Sequence, residues 1–332
     1  MLYYNYSKEH EQTLKLEKEE LKMVGLNVRE ATWTNIGTDV EMSTTVQEVL
    51  EKAHLDYEVE KRPLYIDGGN GGITVPDKFA TYDVTNGNVK GVVGNTYRIL
   101  QNRDAFDFVN GIDDKLSFVK AGETKSGMIY IIGRLDDVTV LGDVMSPYVI
   151  FQNGHNGIYT LKTTICPLRI VCQNQFAMSF KESPNTISIH HSNSMEGRLV
   201  EAQKLMKDVS GYMKEFNNTA EELAGLKLNG TAPNDIFHAF FEQAVKKDNE
   251  KQIQVVNDKT TLITNIYNYD DNQNFKGTVW GLVNAFADYT THILPMRNTD
   301  TADENKFVSV TMDPRVMAAF IKFAMQFTTV GV

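Results

Sequence analysis

Two cysteines among 332 residues cannot make a disulfide framework, which excludes the small secreted domains that rely on bridges in place of a core. Cys166 and Cys172 are therefore expected as free, buried thiols. Long apolar runs are also lacking. Stretches such as Met128–Ile132 and Val316–Phe320 end well short of the ~18–20 residues that a membrane crossing needs. The first residues, Met-Leu-Tyr-Tyr-Asn-Tyr-Ser-Lys-Glu-His-Glu, have neither the basic start nor the apolar stretch of a secretory leader, so the expected location is cytoplasmic. An excess of positive charge is missing too: the formal net charge is −10, which argues against simple wrapping by nucleic acid. The deficit is uneven. Residues 1–89 carry 9 basic and 16 acidic groups, residues 90–181 carry 10 and 8, and residues 182–332 carry 14 and 19. Only the middle third has cations in excess.

What is present suffices for a folded protein. Hydrophobic residues make up 42% and charged residues 23%, a balance that buries a core. The pattern along the chain predicts an α+β protein with an antiparallel β-rich N-terminal module carrying one or two helices, followed by a mainly helical C-terminal module. Residues 1–30 are expected as a mobile or exposed helical arm, because residues 7–22 are almost all polar or charged. Residues 31–184 form the expected β-rich module. Val46, Val49, Leu50 and Ala53 mark a short amphipathic helix, and β-branched or aromatic runs follow at Tyr57–Val59, Leu64–Ile66, Ala80–Val84 and Val89–Leu100, the last with a break at Gly94–Asn95. Asn102 stands as an N-cap for a helix over 102–112. A second β run at Leu116–Ala121, Met128–Leu135, Tyr148–Asn153 and Ile158–Thr164 reads as an antiparallel meander, without the long crossovers of a doubly wound nucleotide fold. Residues 185–332 turn to helical periodicity, with helices expected over 199–223, Pro233–Lys246, Glu250–Ile266, Thr278–Leu294 and Pro314–Phe327. No low-complexity linker separates the two modules, which allows them one shared core.

None of the chemistry-bearing clusters completes a catalytic or cofactor motif. Gly68-Gly69-Asn70-Gly71-Gly72 lacks the Lys-Ser/Thr ending of a phosphate loop and reads as a hairpin tip. His190 and His191 point to opposite faces if they lie in a strand, which leaves no metal site. Cys172 lies among Ile170, Val171 and Phe176, a core neighbourhood. Tyr269–Asn274 lacks the spacing and the closing Glu of a calcium loop. No metal, no cofactor and no catalytic residue is expected, and an enzyme is the least favoured class. The stripe Leu199, Ala202, Leu205, Val209, Met213, Phe216, Ala220 and Leu223 has two readings: internal packing, or an oligomer seam through Leu199, Leu205, Val209, Met213 and Phe216.

The most suggestive stretch is Asn95-Thr96-Tyr97-Arg98-Ile99-Leu100-Gln101-Asn102-Arg103, where an aromatic, amides and two guanidinium groups gather at a strand-to-helix corner in the cation-rich third. Arginine pairs with phosphate in bidentate fashion and an exposed tyrosine stacks on a base. Tyr97, Arg98, Gln101, Arg103, Lys120, Lys125, Arg134, Lys162 and Arg169, with Lys90 beside them, are accordingly the candidate lining of a single-stranded DNA groove.

The stretches Val92–Phe106, Cys166–Asn174 and Gly277–Ala285, with weaker support from Ala53–Glu60, resemble the phage- and plasmid-borne "domain of unknown function 932" family over most of the chain from about Trp33. The resemblance implies a mobile-element setting in a bacterial host. It implies no established activity, so no functional residue carries over. The leading expectation is a non-enzymatic DNA-metabolism protein that binds single strands and assists annealing or recombination. The rival is a self-assembling structural or interaction protein, or an inhibitor of a host defence complex, which draws on the acidic flanks and the helical stripe. Neither reading places the protein in a membrane.

Overall fold

The computed structural model describes residues 29–329 apart from 70, 108, 110–115, 182–183, 192–208, 246–248, 270–273 and 298. The N-terminal arm expected before residue 29 lies outside this range, as do Leu199 and Leu205 of the stripe and most of the Tyr269–Asn274 segment. The described residues form an α+β fold, antiparallel β-rich first and helical afterwards.

Thr45 accepts a hydrogen bond from the backbone N–H of Glu48, whose carboxylate accepts one from the N–H of Thr44; this reciprocal cap starts α1 (Val46–Lys52). The helix buries Val46, Val49 and Leu50. Two sheets follow. The smaller has the order β2-β3-β4, from β2 (Val59–Asp67), β3 (Gly72–Asp83) and β4 (Asn88–Gly94). The segments predicted separately at Tyr57–Val59 and Leu64–Ile66 are thus one strand, with a register shift between Pro63 and Tyr65, and the glycine-rich segment is the β2–β3 hairpin tip.

The larger sheet is built on β1 (Thr38–Asp39), β5 (Ser117–Glu123), β6 (Met128–Arg134), β8 (Asp143–Gly154), β9 (Leu161–Arg169) and β10 (Asn174–Gln175) in that spatial order. β7 (Val138–Val140) adds to β8, and β11 (Thr186–Ile189) adds to β9. Every pairing is antiparallel. Both faces of this sheet are covered, so its central strands are nearly continuous apolar runs and their side chains sort by parity. Ile129 and Ile131 of β6 enter the main core, whereas Met128, Tyr130 and Ile132 enter a second cluster with Trp33 and Phe307.

The helical part comprises α3 (Val209–Gly225), α4 (Pro233–Glu242), α5 (Glu250–Asn268), α6 (Val279–Asp288), α7 (Ala302–Thr311) and α8 (Arg315–Ala324). Helix α6 runs through its middle with all ten residues buried. One continuous cluster of buried residues extends from Val40 in the β-rich part to Ala324 in α8. Its hinge point is Phe176, just past β10, which stacks on Trp280 of α6 at 5.7 Å and meets Phe216 of α3 edge-on at 5.8 Å. On the far side Phe286 stacks on Phe320 of α8 at 4.1 Å.

Two expectations are corrected here. Val209, Met213 and Phe216 do not form an oligomer seam: they are buried in the chain's own core, because α3 lies against α6. Asn102 is not an N-cap. Gln101 holds that position in front of α2 (Asn102–Phe106), and the Asn102 amide is spent elsewhere. Helix α7 was not anticipated, since its β-branched sequence gives little helical amphipathicity; it is held by Phe307, which packs on Tyr130 at 5.2 Å.

The close approach within the helical part generates a test. A Cβ on Gly281 would collide with the backbone carbonyl of Phe275, which cannot swing aside as a side chain would. Gly281→Ala is expected to lower the unfolding free energy by about 1–3 kcal/mol, read as a shift of the urea midpoint.

Candidate nucleic-acid interface

At the end of β4 the chain turns through residues 95–100 and enters α2. Local hydrogen bonds from the three-stranded sheet hold this corner. The Lys61 ammonium on β2 donates to the carbonyls of Asn95 at 2.7 Å and Tyr97 at 3.2 Å, and lies over the Phe79 ring. The Gln101 side chain pairs with the backbone of Val59 on both sides, accepting from its N–H at 3.0 Å and donating to its carbonyl at 2.8 Å. Gly91 of β4 packs so closely on Asn156, in the β8–β9 turn, that no side chain fits there. The two sheets therefore meet at the corner.

Beneath it lies a buried polar network centred on Asn102. Its Nδ2 donates to the Leu55 carbonyl at 2.9 Å, and its Oδ1 accepts from Asn153 Nδ2 at 2.9 Å and faces His155 Nε2 at 3.0 Å. An amide oxygen only accepts, so Nε2 of His155 carries a proton. Burial above all, helped by nearby His191 and Lys90, lowers the His155 pKa from 6.5 to about 3. His191 is likewise depressed, chiefly by burial, and its ring stacks on Tyr97 at 5.2 Å. Alongside, Tyr57 donates to Glu123 Oε2 at 2.8 Å, and Lys90 reaches the same oxygen at 2.9 Å while lying 4.0 Å from the centre of the Tyr57 ring. Burial, then the Glu123 charge, pushes the Tyr57 hydroxyl well above its ordinary pKa, so it stays a donor.

The sequence-predicted residues have diverse placements. Tyr97 is half-buried, its ring on His191 and its hydroxyl donating to the Gly154 carbonyl at 3.0 Å. Gln101 is committed to Val59. Lys120 pairs with Asp39 at 3.0 Å, Lys125 with Asp300 at 3.2 Å, Arg134 with Asp137 at 2.7 Å and Arg169 with Asp143 at 2.9 Å. Lys162 donates to the carbonyl of Met312 at 3.0 Å, and Lys90 belongs to the buried network. Arg98 and Arg103 are exposed at the corner. The cations of the middle third thus do not gather into one trough: five of the nine candidates are engaged with carboxylates or a carbonyl in different parts of the fold.

The three-stranded sheet supplies groups that sequence reasoning did not single out. Arg62 is exposed on β2, its guanidinium 4.0 Å from the centre of the Tyr82 ring while it also pairs with Glu60. Lys78, exposed on β3, stands opposite Gly94 and so beside Asn95. Farther along the hairpin Tyr65, Ile66 and Ile73 are each more than half exposed. The signal available in the sequence was alternation, which puts Arg62 and Tyr82 on one face once the register is known.

A second buried polar cluster lies under the helices. Helix α6 continues into a π-helical turn, Tyr289–Ile293, and His292 Nε2 donates to the Cys172 carbonyl at 2.9 Å; burial first, then Arg29, lowers its pKa to about 3. Cys166 and Cys172 are fully buried thiols, and burial pushes both up to about 12. Among the described residues no group of three or more His, Cys, Asp or Glu side chains is arranged to hold a metal ion, and no helix is long and apolar enough to cross a membrane.

Both neutral histidines link stability to pH. Unfolded, each titrates near 6.5; folded, each titrates near 3. Between these values the unfolded chain binds protons that the native state refuses, so stability is complete above the unfolded pKa and is lost as pH falls. Acidifying from pH 7 to pH 5 is expected to lower the unfolding free energy by about 4 kcal/mol, measured by urea titration. His155→Gln should remove about half of that dependence; an unchanged slope would show that His155 titrates normally.

No curated protein and no solved structure matches the chain significantly. A family sequence model does, over residues 89–310, a span that takes in the β4–α2 corner, the large sheet from β5 onward and helices α3 to α6. The chain belongs to the family described as domain of unknown function 932.

Proposed function

We propose that the protein binds single-stranded DNA across the β2–β3–β4 sheet and the β4–α2 corner, as a non-enzymatic factor of a mobile element acting in the cytoplasm of a bacterial host. The observation that carries this reading is the local excess of exposed cations around one end of that sheet. Arg62, Lys78 and Arg98 come from adjoining strands and the corner, with Lys61 behind them, against Glu60 and Asp77 on the same strands near that end; on α2 Arg103 is offset by the exposed Asp104 and Asp107. Phosphates take bidentate or point contacts from such groups, and a strand laid along the Arg62 face of the sheet meets the Tyr82 ring. Arg62 lying on Tyr82 is consistent with this use, since a guanidinium already stacked on a ring keeps its N–H edge for a phosphate. The net charge of −10 is screened over ~8 Å at physiological salt, so the local patch governs an approaching phosphate.

The test is fluorescence anisotropy with a labelled oligothymidylate of about 30 nucleotides, at ~50 mM and ~200 mM salt. The full chain should bind at the lower salt and weaken steeply at the higher. The charge-reversed variant Arg62→Glu/Lys78→Glu/Arg98→Glu should lose at least about tenfold in affinity and flatten the salt dependence by ~2–3 in log–log slope. Absence of binding at ~50 mM salt, or a variant as tight as the parent, would remove this function.

A further inference from the structure

Far from that sheet in sequence, α4 and α5 diverge to leave an open groove of about 660 Å³. Its floor is apolar, formed by Phe240, Phe241, Val245, Val255 and Val256, and among the described residues its charged lining groups are Lys251 and Lys259. The Lys259 ammonium lies 5.7 Å from the Phe241 ring centre, at the edge of the floor. A smaller cavity of about 280 Å³ shares Val245 and Val256 with it and continues toward His238 and Glu242. Val255, on the larger groove, leaves 49% of its surface in water, and Ile253, on the smaller cavity, leaves 40%.

The geometry points to a docking site for an acidic amphipathic helix of a partner protein. Three features select that occupant. A two-helix groove with an aromatic floor receives the i, i+3, i+4 and i+7 anchors of a helix laid along it. Two ammonium groups at the rim, with no carboxylate among the described residues that line the larger cavity, complement glutamates or aspartates flanking those anchors. A second copy of this chain is disfavoured by the same charges, because a two-fold contact through this patch sets lysine against lysine. An acyl chain fits poorly as well: small-molecule sites enclose most of their ligand, whereas this groove is open along the side where Val255 stands.

The probe is a synthetic helix of about 18 residues with leucines at helical spacing and glutamates between them, fluorescently labelled, mixed with the full chain. A matched peptide with lysines in place of the glutamates, and oleate, are the comparison ligands. The acidic peptide is expected to bind, and the basic one to bind at least about tenfold more weakly. Val255→Glu, an exposed site where substitution leaves the core intact, should weaken the acidic peptide by about tenfold without moving the urea midpoint. Lys251→Glu/Lys259→Glu should weaken it by about fivefold and correspondingly strengthen the basic peptide. Arg62→Glu/Lys78→Glu/Arg98→Glu should leave peptide binding unchanged, which separates this site from the DNA surface. Equal binding of both peptides, insensitivity to charge reversal, displacement by oleate in the absence of peptide selectivity, or concentration-dependent self-association abolished by Val255→Glu would each overturn the assignment.

Discussion

The amide of Asn102 is the constraint on which the corner depends. A buried amide left without partners costs a few kcal/mol, and this one satisfies both of its ends with groups from three separate parts of the chain: Leu55 after α1, Asn153 at the end of β8, and His155 in the turn beyond. The polar side chains of the 97–102 stretch are thus spent inside the fold, and its neighbouring guanidinium groups are exposed. Tyr97, Gln101 and Asn102 face inward to His191, Val59 and Leu55, and Arg98 and Arg103 are left facing out.

That rigidity would be of little use if the β-rich and helical parts moved independently. Their junction is apolar and aromatic. Phe176, Phe216 and Trp280 interlock within about 6 Å of one another, and the buried Arg29–Asp288 pair at 2.9 Å ties the start of the described chain to the end of α6. A buried pair of this kind adds little net stability, but breaking it strands a charge, so it fixes which arrangement is allowed. The total burial of α6 has the same meaning: a helix buried on every side belongs at the centre of a fold, with neighbours on all sides.

Periodicity made most of this architecture legible from the residues alone. Short apolar, β-branched and aromatic runs bounded by turn residues located β5, β6, β8 and β9, and helical spacing located α1, α5 and α8. The same rule hid α7, whose Val308, Ser309, Val310 and Thr311 read as strand-like; only contact with Tyr130 and Trp33 across the second face of the sheet makes them helical. The site was legible in part. The corner was visible as a cluster of chemistry-bearing residues in one short stretch, but charge partners are long-range: nothing near Lys120 or Lys125 in sequence announces Asp39 or Asp300. His155 stands in the polar run Asn153-Gly154-His155-Asn156-Gly157, and its partner Asn102 lies 53 residues earlier.

These pairings change how an acidic chain can be read. Composition counts every cation equally, whereas an ammonium held 3 Å from a carboxylate projects a dipole, and its field decays much faster than that of a lone charge. Lys120 and Arg169, both largely buried themselves, are muted in this way by Asp39 and Asp143. Lys61 shows the opposite case: it is bonded to two neutral carbonyls, so its charge remains and adds to the field at the corner. The electrostatic character of the β2–β3–β4 surface is thus set by which carboxylates the fold has already assigned elsewhere, and a net charge of −10 is compatible with a cationic edge because most of the anionic excess lies in other parts of the chain.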